Sequence, residues 1–252
     1  MRKLRAFTTM VVMMAAVISL ASPFSLGPAI AFGQTSSKVL MVPREGPAMD
    51  IDLAIKMEVG VMTKLLKDAG FEVDIATASG NPILGPTQKI ENVVRLSEIN
   101  VDNYVGVIMP CMHVGAYPGP PVSPEAIAVV RKALSDGKPV AAAAHASTIL
   151  AEAGVLKGKK YAFSSDPTKD AKVFQKGVRT WRGTDPRFND AIYSGTGVVQ
   201  DGKIITSGYC PTLEKIYVAL EKQYPIAFRR VPPFQDRTVE LTQKFIAAIG
   251  AE

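Results

Sequence analysis

Two cysteines, two histidines and one tryptophan are all that this chain of 252 residues carries of those types. So few cysteines exclude a disulfide-dense scaffold. A hydrophobic share of 47% with 21% charged residues excludes a disordered or collagen-like chain. No glycine-rich phosphate loop, no Gly-x-Ser-x-Gly elbow and no paired-histidine metalloprotease helix occurs in it. Beyond the N-terminal segment, no apolar run approaches the roughly 20 residues that a membrane-spanning helix needs. A strong excess of one charge sign is lacking too. The net charge of +6 falls to +3 once residues 1–31, with three bases and no acid, are set aside. That field is too weak to point to a nucleic-acid partner.

What is present begins with a secretory pattern. The basic start Met1–Arg5 runs into the apolar stretch Ala6–Ala21 and then to Ala29-Ile30-Ala31, a small-x-small cleavage site. Residues 1–31 are therefore expected to be a signal peptide. Residues 32–252 are expected to form one soluble domain, exported to the periplasm or secreted.

The body alternates strand-like and helix-like stretches. Lys38–Pro43 reads as a buried parallel strand. A helix is expected over Asp50–Ala69, with Leu53, Met57, Val61 and Leu65 as its apolar stripe and Gly70 as its stop. Phe71–Thr77 and Tyr104–Pro110 read as the next strands, separated by a loop excursion over Ala78–Asn100 that carries a short helix. Ser123-Pro124-Glu125 has the form of an N-cap, a first-turn proline and a first-turn acid, opening a helix that runs to Asp136. Lys138–Ala144 is a strand that turns directly into a helix ending at Gly154. Asp201-Gly202 marks a hairpin within Gly197–Ser207, and Pro211–Lys222 and Thr238–Ile249 are the terminal helices. This order implies an α/β fold, a three-layer α/β/α sandwich around a mainly parallel sheet, with ligands at the carboxyl ends of the strands. Chemistry is thus expected at the junctions after Pro43, Pro110 and Ala144.

At the third junction His145 sits where a helix begins, a place suited to an acid–base group as well as to a structural one. Glu58 lies at the edge of its helix's apolar stripe. Its ordinary reading is a boundary acid reaching water; its sharper reading is a carboxyl turned into a pocket, with a raised pKa. Cys111 and Cys210 both follow strands on the ligand edge. In an oxidising compartment they are expected to pair as a disulfide across the pocket mouth, the alternative being a reactive Cys111 thiol near His113 and His145. The types Cys111, His113, His145 and Glu58 would suit zinc, but their spacing matches no compact zinc motif, so no metal and no cofactor is expected. Tyr117, Trp181 and Tyr209 are candidate lining aromatics.

These landmarks resemble the ThiJ/PfpI family of the class I glutamine-amidotransferase-like superfamily, over roughly Lys38–Glu221. The most specific block is Gly137–Lys159 (GKPVAAAAHASTILAEAGVLKGK), similar to the family's strand, Cys-His-Gly elbow and helix ending in Ala-Gly-x-Leu-x-Gly. Val107–Pro110 resembles the strand leading to Pro-Gly-Gly, and Asp201–Gly208 the late hairpin. Glu58 falls where the family places the Glu that hydrogen-bonds the nucleophilic Cys. Pro167–Asp190 matches least. The resemblance implies a flavodoxin-like sandwich, a homodimer and a site built from Glu58, His145 and a pocket of Cys111, Met112, His113, Ala146, Tyr209 and Cys210.

It also implies three departures. Ala144 stands in place of the nucleophilic Cys, Cys111-Met112 in place of the Gly-Gly whose backbone helps form the oxyanion hole, and Ala146 in place of the Gly after His145. The favoured expectation is therefore a chain that has lost the Cys chemistry and keeps a small-molecule pocket. Two alternatives stand beside it. One is a glyoxalase- or hydratase-like enzyme using Glu58 and His145 or a relocated Cys111 thiol on a carbonyl substrate. The other is an oligomeric interaction protein.

Overall fold

The computed structural model describes residues 37–250 except 116, 170, 176–177 and 224–233, with backbone alone over 171–175 and 178–182. The expected signal peptide, residues 1–31, lies outside the described residues, as does the side chain of Trp181. Four short apolar segments build the centre of the sheet: β1 (Lys38–Met41), β4 (Tyr104–Met109), β5 (Val140–Ala143) and β7 (Ile204–Ser207). Nearly all their side chains are buried on both faces, which is what a parallel sheet covered by helices requires. β2 (Glu72–Thr77) and β3 (Val94–Arg95) extend one side. β6 (Val198–Asp201) closes the other as an antiparallel hairpin with β7. The sheet order is β6-β7-β5-β4-β1-β2-β3, with every other pairing parallel. The β6–β7 turn is the expected Asp201-Gly202, where Gly202 takes the left-handed conformation at φ 63°.

Successive residues on each strand face opposite helical layers. Leu40, Val107, Val140 and Ala142 pack with α2 (Pro124–Ser135) and α3 (Ser147–Glu152). Val39, Met41, Ile108, Ala141 and Ala143 pack with α1 (residues 51–68), with the start of α4 (Pro211–Gln223) and with α5 (Thr238–Ile249). The start of α2 is as expected: Ser123 Oγ accepts the Ala126 N–H at 3.1 Å, with Pro124 in the first turn.

α1 departs from expectation. It is continuous but built of three pieces, Ile51–Leu53, a π-helical Ala54–Val59 and Gly60–Asp68. Its buried face is Ala54, Ile55, Glu58, Val59, Met62 and Leu66. The expected stripe of Leu53, Met57, Val61 and Leu65 is only half-buried, and Met57 is exposed. The true face runs one residue further along at the same four-residue spacing, and an acid at its centre disguises it. The 78–100 excursion likewise supplies β3, which pairs Val94 with Ala76 of β2.

The end of β7 is sterically closed. A Cβ on Gly208 would lie 2.6 Å from both Thr196 Cα and Thr196 O, and 2.9 Å from Phe163 O, all backbone atoms that cannot swing aside. Gly208→Ala is expected to lower unfolding free energy by about 3 kcal/mol, at the upper end for overpacking. Urea unfolding measures this, and a loss under about 0.5 kcal/mol, the scale of a surface change, would contradict the packing described.

Candidate functional site

Four neighbouring strands deliver their following residues to one edge of the sheet: Arg44 after β1, Cys111-Met112-His113 after β4, Ala144-His145 after β5 and Cys210 after β7. This is the carboxyl edge, where a parallel α/β sheet presents ligands.

Glu58 organises the β4 junction. In the π segment the Gly60 N–H reaches back five residues to Ile55 O, a local widening of a kind frequent at functional sites. Glu58 points inward from that segment and is fully buried, so the reading of it as a boundary acid in water is corrected. Its Oε1 accepts the Cys111 N–H at 2.7 Å and its Oε2 accepts the Met112 N–H at 3.1 Å. The chain there is strained: Met112 and His113 are non-glycine residues in the left-handed region, at φ 54° and 43°. The two N–H bonds secure that turn. Burial drives the Glu58 pKa well above the carboxylate range, the nearby Cys111 sulfur adds to the rise, and the two N–H donors oppose it.

The β5 junction is strained as well. Ala144 sits at φ 43° in a tight strand-to-helix turn of residues Ala144–Ala146. His145 follows, buried, with its ring 5.6 Å from Phe163, 5.5 Å from Tyr117 and 5.3 Å from His113. Tyr117 is anchored through its hydroxyl to buried Asp185, whose carboxylate takes Arg187 Nε at 2.9 Å and Nη2 at 2.7 Å. Burial pushes the Asp185 carboxyl up, but the bonds from Arg187 and Tyr117 outweigh it and hold the carboxyl below its ordinary range. His145 thus lies in an aromatic cage pinned by an ion pair.

The two cysteines meet beside this cage. Both are buried free thiols, so the expected Cys111–Cys210 disulfide is not formed in this structure. The physical arrangement is a thiol pair: the Cys210 S–H is the hydrogen-bond partner of the Cys111 sulfur. Burial opposes ionisation of Cys111, yet that S–H, the N–H groups of His113 and His145 and the charge of Arg44 together bring its pKa below the ordinary thiol value. Cys210 moves the other way, pushed up by burial, by its bond to Cys111 and by that sulfur's charge.

Other expected members sort differently. Met112, Ala144 and Tyr209 share the apolar cluster that holds both cysteines, whereas Ala146 belongs to the cluster on the other face of the sheet. Tyr209 is a packing residue, its hydroxyl donating to Ser164 O at 3.2 Å and its ring set edge-on to Tyr217 and Phe234. Both Glu58 oxygens accept backbone N–H groups, and among the described residues no three His, Cys, Asp or Glu side chains are gathered as metal ligands would be. A groove of about 420 Å³, lined by Arg131, Lys159, Asp201 and Lys203 among others, opens at the opposite end of β7. Arg44 and Asp185 escaped the sequence reading. The junction after Pro43 was marked, but one arginine among 29 basic residues carries no signal, and Asp185 lies in the stretch of weakest family resemblance.

A parallel sheet with a strained strand-to-helix turn and a thiol at its carboxyl edge defines a class of α/β sandwich proteins. Within it the chain belongs to the DJ-1/PfpI family, whose model matches residues 51–223. It is similar to the deglycase PfpI of Pyrococcus furiosus, 34% identical over 97 residues, and to a deglycase of Thermococcus kodakarensis at the same identity and length. Each match covers 38% of this chain, and the chain spans only 57% of each of these relatives. Among solved structures, the fold is similar to a ThiJ/PfpI domain protein from Brachyspira murdochii, with TM-score 0.57, 14% identity and coverage of 86% of this chain and 98% of that one. It is also similar to Drosophila melanogaster DJ-1beta, with TM-score 0.50, 21% identity and coverage of 84% and 98%.

Glu58→Gln is expected to cost about 1–3 kcal/mol of stability at acid pH, because an amide offers one acceptor and turns an N–H₂ toward the second backbone donor. A group whose pKa is raised by folding contributes most below its unfolded value, here 4.5, and loses that contribution as pH rises toward the folded value. The stability gap between wild type and Glu58→Gln therefore narrows as pH climbs above 4.5. Denaturant midpoints across pH measure it, and a gap that widens would contradict the burial-driven shift.

Proposed function

We propose that this chain is a thiol-dependent member of its family in which the reactive sulfur is Cys111, one strand away from the elbow, and that it acts on small carbonyl compounds. One observation carries the reading: two backbone N–H groups, from His113 and His145, and the Cys210 S–H converge on the Cys111 sulfur. Such donors stabilise a thiolate, and the thiolate is the nucleophilic form of cysteine. In this reading Cys111 attacks the carbonyl carbon: the S–C bond forms, the C=O π bond breaks, and the oxygen takes up a proton. Two relatives are named deglycases, which supports a carbonyl-derived substrate. Glu58 serves as a positioning residue, since it fixes the backbone that carries Cys111.

The proposal extends to export and to a homodimer. Residues 1–31 support the first, by their signal-peptide pattern. Met49, Met57 and Leu84, apolar and exposed, supply surface for the second. In an oxidising compartment the two adjacent thiols would bridge and silence the nucleophile, so activity should depend on reductant. Ala144 favours a second reading, in which the site binds its ligand without turning it over, because the elbow carries only a methyl group.

Turnover of methylglyoxal-type dicarbonyls by reduced protein separates the two. Cys111→Ser is expected to lose more than about a hundredfold in rate, the scale on which removal of a nucleophile acts. Cys210→Ser is expected to keep most of it. Turnover that survives Cys111→Ser would overturn the thiol reading, and its absence from wild type, with saturable ligand protection against thermal unfolding, would leave binding alone.

A further inference from the structure

Arg44 favours the Cys111 thiolate by its charge, yet one of its donors is used by neither the thiol nor the fold. It follows β1, keeps only 6% of its surface exposed, and donates Nη2 to Pro120 O at 2.9 Å. Its Nη1 is buried with no hydrogen-bond partner. Among the described residues no carboxylate acts on it: the charged groups that do are the Cys111 sulfur and the like-charged Arg187. Beside it, His113 keeps 5% exposure and its Nδ1 is also a buried atom without a partner. Burial, opposed by a bond to its own backbone and helped by the charge of Arg44, holds the His113 pKa below its ordinary value, so the imidazolium is disfavoured. A buried cation with an open donor is costly, because desolvation is repaid only when an anion meets it in good geometry.

The loop above is shaped to this side chain. A Cβ on Gly119 would lie 2.9 Å from Nη2 and 3.0 Å from Nη1, so the guanidinium lies flat against a stretch of chain that only glycine accommodates. The backbone donors that would otherwise receive an anion at this edge, the N–H groups of Cys111 and Met112, are both occupied by Glu58. Arg44 Nη1, an obligate donor, and His113 Nδ1 are thus two buried nitrogens at this edge without a hydrogen-bond partner.

We infer that Arg44 and His113 form a carboxylate-binding subsite beside Cys111, and that the substrate class is a small 2-oxo acid. The inference rests on Cys111 being the nucleophile and adds the group that a preferred substrate carries, neutral dicarbonyls being the weaker-binding case. The carboxylate sits on Arg44 Nη1, and the adjacent keto carbon faces the sulfur. Addition joins sulfur to that carbon, breaks the C=O π bond and leaves the thiol's proton on the oxygen, with nothing oxidised or reduced. A guanidinium suits such an acid because a planar charged donor binds carboxylate more strongly than a neutral amide.

The test uses reduced full-length protein with pyruvate and its neutral counterpart pyruvamide, at ionic strength matched with chloride. Two quantities are read: the alkylation rate of Cys111 by iodoacetamide and the thermal unfolding midpoint. Pyruvate is expected to protect Cys111 saturably, at concentrations at least about tenfold lower than pyruvamide, and to raise the midpoint. Arg44→Gln, which keeps a donor for Pro120 O, is expected to abolish the preference, and Arg44→Lys to retain part of it. In Cys111→Ala the competing sulfur charge is gone, so the midpoint shift with pyruvate should persist or grow.

Equal protection by acid and amide in wild type would overturn the subsite. A shift absent from Cys111→Ala would also overturn it, leaving Arg44 as no more than the thiolate's counter-ion. Slow alkylation of Cys111 without ligand, alongside an intact Arg44-dependent midpoint shift, would instead sink the nucleophile assignment and leave the anion subsite standing.

Discussion

The site depends on one buried carboxyl. Glu58 reaches from α1 to the end of β4 and accepts two successive N–H groups, those of Cys111 and Met112. Those donors would otherwise be unsatisfied in an apolar cluster, and an orphaned buried donor costs on the order of 1–3 kcal/mol. The bonds also fix a turn in which Met112 and His113 adopt left-handed backbone conformations that side chains disfavour. That turn brings the Cys111 sulfur to the N–H of His145 on the adjoining strand end. The π segment of α1 is the local distortion that carries Glu58 to this position.

Spending both backbone donors on Glu58 has a chemical consequence. They are not open to an oxyanion, so in the proposed reaction other groups at the edge would stabilise charge. Two features share this edge: Arg44 with its unpartnered Nη1, and a thiol, Cys111, in the loop that neighbours the elbow. Ala144 keeps the strained elbow backbone while carrying no reactive atom. The elbow's role is then to present the His145 N–H rather than a side chain. Cys210, arriving from β7 on the other flank of β5, completes the donor set around Cys111.

Much of this was legible in the residues. Apolar runs at Lys38–Met41, Tyr104–Met109 and Val140–Ala143, each followed by a loop or helix signal, point to a parallel sheet and to its carboxyl edge. Ser123-Pro124 and Asp201-Gly202 mark a helix start and a hairpin turn through chemistry that acts over three or four residues. What escaped depends on contacts far apart in the chain. The inward turn of Glu58 follows from a π widening and from partners more than 50 residues away. The role of Arg44 follows from a loop 76 residues further on, and that of Asp185 from Tyr117. The cysteine pair was located, but whether two adjacent sulfurs bond covalently or share a proton is set by their redox state and surroundings, which spacing does not encode.

The most direct test is a spectroscopic titration of the thiolate in reduced protein, comparing wild type with Cys111→Ser. The account predicts a single thiolate that appears below the ordinary thiol range of about 8.5, vanishes with Cys111→Ser, and moves upward when Arg44 is neutralised. A wild-type protein whose thiolate appears only at or above that range, or whose low-pH thiolate survives Cys111→Ser, would contradict it.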